Sequence, residues 1–426
     1  MRAGVSNSAP NSFRWLLAPA LVLTAFHLRA AEESPEAKLP APLRQLVQAA
    51  QSAPPEFAAD GLMQIVESGK VADRDVSRAL LDRAFHLASS ASLKFAMRAR
   101  LRNLADTEAG AMDEAYRLNL DSLSLQSRAV REMIALDHAK AREMFLEIPK
   151  PVLPGSFACG DPLVPDVAPL YSALTAVVQN SFTEPERRKE DHIGLLLDYF
   201  SGIVTMEQVQ AAGRMVAEVN VTPRQREMLT SRLESLRAAI QAKAPDCGAA
   251  ASSKEVTTLT APDPAKAQPF WQSNSAKNIL EAAKALRFGS GGLRSGAERQ
   301  SPEWLQQLTD FRTQLGDWRR DDSETEAIFY HEKSLVYEVL VELTPPGDER
   351  DKILNEYISF AESSNLQQDK PVEWYSGLHA TLERMRTTTG GEPDKMLDAF
   401  QASGNPILVL QAELQRIFPP KPMFPQ

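Results

Sequence analysis

Two cysteines, Cys159 and Cys247, are the only thiols in this chain of 426 residues, and both sit in small-residue contexts, Ala158-Cys-Gly-Asp161 and Asp246-Cys-Gly248. Neither has a histidine neighbour or a second cysteine at metal-ligand spacing, so zinc binding and thiol catalysis do not fit them. In an oxidising compartment such a pair is expected to be joined, closing a circuit of about 88 residues and restraining the unfolded chain by roughly 3–5 kcal/mol. Beyond residue 31 the histidines are His86, His138, His192, His331 and His379, dispersed singly. His331-Glu332 opens like the zinc-protease pattern of two histidines four apart, but the second place is Leu335, which cannot hold a metal. Asp191-His192 has no second histidine one turn away. The glycine-rich run from Phe288 to Gly296 lacks the Lys-Ser/Thr of a phosphate cradle and a strand before it, so it reads as a connector. No nucleophile elbow and no cofactor fingerprint is present.

The stretch Gly61-Leu-Met-Gln-Ile65 resembles the corresponding stretch of soluble lytic transglycosylases, exported helical enzymes that cut the glycan of peptidoglycan. That resemblance implies a Glu-Ser pair some 15–20 residues upstream, with the glutamate as general acid on the glycosidic oxygen. The window here, Arg44 to Ala50, holds no carboxylate, and Glu67-Ser68 lies downstream. Read as helix text, Leu62, Ile65 and Val66 make an apolar stripe.

Aromatic residues gather in the second half: Phe270, Trp271, Trp304, Phe311, Trp318, Phe329, Tyr330 and Trp374. They suit either a binding groove or helix–helix seams, and seams are the commoner use. Asn220-Val-Thr222 is formally a glycosylation triplet, followed by Pro223.

The elements that must carry these residues are helices. Leu335, Val336, Val339, Leu340 and Leu343 fall on one helical stripe that Pro345-Pro346-Gly347 ends. Ile353, Leu354, Tyr357 and Ile358 line the next segment, completing a helical hairpin. The pattern recurs with Ile193 to Phe200 before Ser201-Gly202, a helix capped by Thr205, and another opened by Thr222-Pro223. Leu123 to Leu136 precedes Asp137 and a helix ending near Pro149; Trp374 to Met385 precedes Gly390-Gly391 and a last helix pair. Residues 256–260 are the one stretch that suggests a strand. The expected fold is all-α, built of antiparallel helix pairs as an irregular α-solenoid or two helical bundles, without residue-level repeats. A lobe over 32–244, a linker of small residues over 245–266, a second lobe over 267–418 and a proline-rich tail over 419–426 are the expected divisions.

Residues 1–31 read as a signal peptide: Arg2 and Arg14, the apolar run from Trp15 to Phe26, then Ala30-Ala31. The run, at about 12 residues, is short of the roughly 20 that span a membrane. Formal net charge is −9, and residues 1–31 carry three arginines and no acid, so their removal deepens it. Acids and bases are interspersed, as in Glu184 to Asp191, which disfavours nucleic acid and anionic lipid as partners. The sequence therefore predicts an exported helical scaffold or protein-binding module of the cell envelope, periplasmic or secreted. The alternative is a hydrolase of envelope glycan whose carboxylates converge only in space. If export and pairing both hold, thiol labelling of denatured, unreduced protein from the native host finds no free thiol; two free thiols per chain contradict the disulfide.

Overall fold

The computed structural model describes residues 35–100, 104, 107–153, 161–243, 269–289, 292–293, 298–389 and 393–419. Of these, 75% are helical, in nineteen α-helices among the described residues. The expected all-α class is what forms. Both cysteines, the signal segment, the linker, the suggested strand at 256–260 and most of the tail lie outside the described residues.

The first half runs through α1 (Ala41–Ser52), α2 (Pro55–Glu67), α3 (Arg74–Ser89), α4 (Glu108–Tyr116), α5 (Ser122–Leu136), α6 (His138–Glu147) and α7 (Ala168–Asn180). It continues through the short α8 (Glu184–Arg188), α9 (Asp191–Ser201), α10 (Met206–Glu218) and α11 (Pro223–Gln241). Local chemistry sets the boundaries. Thr205 and Thr222 each form a capping box with the glutamine three residues on, and Pro223 opens α11 where its missing N–H costs nothing. Asp137 ends α5 and caps α6: its carboxylate accepts from Lys140 N–H at 3.0 Å and pairs with Arg78 of α3.

Successive helices pack in a chain of contacts, α2 on α3, α3 on α5, α5 on α7, α7 on α10 and α10 on α11. Two strands enter this half, β1 (Ala96–Ala99) and β2 (Leu163–Asp166), antiparallel with Ala96 opposite Asp166 and Ala99 opposite Leu163. Four residues each, one interrupted by Pro165, leave no alternation for a sequence pattern to display. Pro165 is tolerated because a two-stranded ribbon is all edge.

The second half holds α12 (Asn274–Arg287), α13 (Pro302–Asp317), α14 (Glu326–Leu343), α15 (Asp348–Ser363), α16 (Leu366–Asp369), α17 (Pro371–Thr389), α18 (Pro393–Ser403) and α19 (Pro406–Ile417). A two-residue ribbon, β3 (Phe288–Gly289) with β4 (Gly292–Leu293), occupies part of the glycine-rich run. The stripe read over Leu335–Leu343 is the inner face of α14, with Val336, Leu340 and Leu343 buried. Gly347 starts α15 at φ 135°, a value that side chains rarely adopt, so the turn after Pro345-Pro346 depends on glycine.

One continuous apolar core runs from Leu39 to Leu414. The two halves meet where α19 packs on α1 and α2, and where α17 packs on α4. Gly61 lies on the α2–α19 contact, where a Cβ would meet Leu410 at 3.4 Å, an ordinary van der Waals distance. Phe57 of α2 meets Tyr375 of α17 edge to face at 5.3 Å. No helix among the described residues is long and apolar enough to cross a membrane.

The double duty of Asp137 gives a test. Asp137→Ala removes a cap and is expected to cost about 1–2 kcal/mol, whereas Asp137→Asn keeps the cap and loses only a partly exposed ion pair, costing about 1 kcal/mol or less. Denaturant midpoints of the two variants measure the difference.

Candidate functional site

The α4–α14–α17 junction gathers charge where the fold can least solvate it. Glu108 is the first residue of α4, fixed by its cap Thr107, whose hydroxyl accepts from Gly110 N–H at 3.1 Å. Lys370 lies between α16 and α17, Glu373 in the first turn of α17, and His331 on α14. Lys370 Nζ is 3.1 Å from Glu373 Oε2 and 3.6 Å from Glu108 Oε1. His331 Nε2 stands 3.5 Å from Glu373 Oε1, and Phe270 stacks on the imidazole at 5.8 Å. Glu108, His331 and Glu373 are buried; Lys370 reaches solvent on one side.

Gly377, one turn after Glu373, makes this possible. A Cβ at that position would lie 2.8 Å from Tyr330 Cε1 and 3.0 Å from His331 Cε1, so α17 meets α14 at a distance only glycine allows. Tyr330 uses the contact, its hydroxyl donating to the Trp374 carbonyl at 2.9 Å, while Trp374 Nε1 donates to the Ala361 carbonyl at 2.8 Å.

Burial and charge oppose each other here. Burial pushes the Glu108 carboxyl up, and Glu373 adds to that, against the pull of Lys370. Burial acts on Glu373 in the same sense, but His331 and Lys370 outweigh it and hold Glu373 below its ordinary value. Burial weakens the Lys370 ammonium, yet Glu373 and Glu108 leave it a weaker acid than a free lysine. Tyr116 is pushed up to about 12 by burial, then by Glu373 and Asp121. Two carboxyls thus share one ammonium, with the His331 imidazole against Glu373.

A cavity of about 120 Å³, lined by Leu93, Met112, Tyr116, Lys370, Val372 and Glu373 among others, adjoins the cluster. Glycan hydrolysis needs a sugar ring between two carboxyls. Here the Lys370 ammonium occupies the space between Glu108 and Glu373, and the cavity is well below the roughly 300–1,000 Å³ of ordinary ligand sites. The arrangement is an ion-paired lock across three helices. Buried pairs of this kind add little net stability but are costly to break from one side, by about 3–5 kcal/mol.

Open surface is found elsewhere, on both flanks of α15. A groove of about 510 Å³ runs between α13, α14 and α15, and one of about 640 Å³ between α15, α17 and α18; both are bounded by Pro346 and Gly347. Leu354, Ile358, Leu382, Met385, Met396 and Ala399 floor the larger groove, and Arg350, Asp351, Arg386, Lys395 and Asp398 rim it. Exposed ion pairs bridge each groove: Arg312 to Glu349 at 2.9 Å and to Glu356 on one side, Lys395 to Asp351 at 3.0 Å on the other.

The residues singled out in the sequence are put to other uses. Gly61 serves the α2–α19 contact. Glu56 in the same helix is buried and accepts from Ser92 Oγ at 2.9 Å. Asp60 and Glu67 clasp Arg128 of α5 at 2.6 and 2.5 Å. Glu332 turns away from His331, its carboxylate accepting from the Trp271 N–H. His192 is buried beside Phe182 at 6.1 Å, and burial lowers its proton affinity, with Arg187 adding to the effect. Among the described residues no cluster of histidine, cysteine and acids could hold a metal. Seven of the eight aromatic residues are buried in seams, and Trp271 is half-buried. Asn220 is exposed, and Thr222 caps α11. Phe288 and Leu293 of the glycine-rich run are 46% and 65% exposed. Glu108, Lys370 and Glu373 had no sequence signal, since charged residues near helix starts are ordinary there.

No protein family, curated protein or solved structure matches the chain.

Gly377→Ala weighs the crossing directly. Alanine gains about 1 kcal/mol of helix propensity, but overpacking against buried Tyr330 and His331 is expected to cost more, about 1–3 kcal/mol. A lower urea midpoint with unchanged slope is the expected outcome; a stabilised variant contradicts the close contact.

Proposed function

We propose that this chain is an exported, non-enzymatic scaffold that binds a protein partner in the cell envelope, taking an amphipathic helix of that partner into the groove between α15, α17 and α18. The observation that carries the reading is the groove: an apolar floor about 640 Å³ in volume, with charges of both signs on its rim. A helix laid into such a groove buries its apolar face on the floor and its polar flanks on the rim. Met385 and Met396 suit this role because thioether side chains adapt to the shape that enters. Export is supported by the order of charge, apolar run and small residues over 1–31. The acidic charge balance disfavours nucleic acid.

The test places a photo-crosslinking residue in native-host protein at Asn355 or Ala402, on the larger groove, and at Arg224 on distant α11. A discrete adduct from both groove positions and not from Arg224, reduced at least about tenfold by Ala399→Trp, is the expected result, a loss worth about 1.4 kcal/mol of binding. Equal adducts from all three positions, or adducts indifferent to Ala399→Trp, contradict the reading.

A further inference from the structure

Pro269, Phe270 and Trp271 lead into α12 as a strap held at three points. Pro269 bridges to Thr107 at the start of α4, Phe270 lies on His331, and the Trp271 N–H donates to Glu332 Oε1 on α14. Trp271 sits at φ 62°, the left-handed region that a large side chain avoids unless its surroundings impose it. In that conformation its N–H reaches Glu332 and its ring packs against the core.

Glu332 is wholly buried and Glu324, in the loop before α14, nearly so. Glu324 Oε2 accepts from Asp321 N–H at 3.1 Å. Glu324 Oε1 and Glu332 Oε2 are buried without a hydrogen-bond partner. The nearby cations are engaged elsewhere. On α14 itself His331 faces Glu373, and Lys333 donates to the Trp318 carbonyl at 2.8 Å. Arg320 of the loop spends its guanidinium on the Glu324 backbone carbonyl and on Glu326. On α12, Lys277 and Lys284 are exposed, and Arg287 pairs with Glu342 at 3.0 Å. On α13, Arg312 is taken by α15, and Asp317 is exposed. On α17, Lys370 and Glu373 pair with each other. The cations around these two buried carboxyls thus bind other acceptors, Arg320 holding the Glu324 main chain and Lys333 the Trp318 carbonyl.

We propose that Glu332, with Glu324 beside it, is a proton-holding latch that fastens the strap to α14 and loosens it as the solution turns alkaline. A neutral Glu332 still accepts the Trp271 N–H through its carbonyl oxygen and places no second charge beside Glu324. Burial outweighs the Trp271 N–H bond, which favours the carboxylate, and with the field of Glu324 in support raises Glu332 from 4.5 to about 7. Between those values the folded form holds a proton that the unfolded chain has lost, so the stabilisation is complete below the lower value and is lost as pH rises through the upper one. The latch is independent of the groove beside α15.

Hydrogen exchange of peptides covering 269–275, with protection corrected for intrinsic rates at each pH, tests it on the full chain. Protection of the Trp271 amide is expected to fall at least about tenfold between about pH 5 and pH 8.5, while far-ultraviolet circular dichroism stays constant. Glu332→Gln, which keeps an acceptor and no charge, is expected to hold protection level across that range. Glu324→Gln, which removes the repelling charge, is expected to shrink the loss. Level protection in the unaltered protein, or an undiminished loss in either variant, overturns the latch.

Discussion

The close crossing of α14 and α17 at Gly377 sets the rest of the second half in place. Because a side chain there would collide with Tyr330 and His331, the two helices share a seam in which Trp374, Tyr330 and Tyr357 are fully buried. The polar ends of these rings find partners in the same seam, and Tyr357 OH donates to Ser334 Oγ at 3.2 Å. Large aromatic rings contribute much burial at fixed geometry, so a seam of this kind tolerates little sliding. The charged lock follows from it, since Glu373 reaches His331 only if the backbones approach this closely.

From the seam the structure extends to the first half along two routes. One is the ion pair from Lys370 to Glu108, with Thr107 bridged to Pro269 beside it. The other is apolar: Phe57 on Tyr375, and Gly61 under Leu410. The apolar route supplies stabilisation in proportion to the area it removes from water. The charged route supplies specificity, because a buried acid tolerates few alternative partners. Together they rest on two helices of the second half, α17 and α19.

Helices were legible in the sequence because their information is local. Thr205, Thr222 and Pro223 act within one turn, and the Leu335–Leu343 stripe needs only the helical period. The ribbon of β1 with β2 was not legible, because strands of four residues derive their order from partners 64 to 70 positions away rather than from a pattern of their own. The site was less legible still. His331-Glu332 drew notice for a motif it does not complete, yet both residues matter, through Glu373 and Trp271 at 42 and 61 residues' distance. Gly377 gave no signal as a lone glycine in a helical stretch; only the ring of Tyr330 across the seam shows what it does.

α17 and α19 join the two halves into one cooperative unit. All four tryptophans beyond the first 31 residues, Trp271, Trp304, Trp318 and Trp374, lie in the second half, whereas helical dichroism reports on both. Urea unfolding followed by tryptophan fluorescence and by far-ultraviolet circular dichroism therefore separates the halves by probe. Coincident transitions with a single midpoint are the predicted result. A fluorescence transition displaced from the dichroism transition, with a plateau between them, would show two independent lobes and contradict the account.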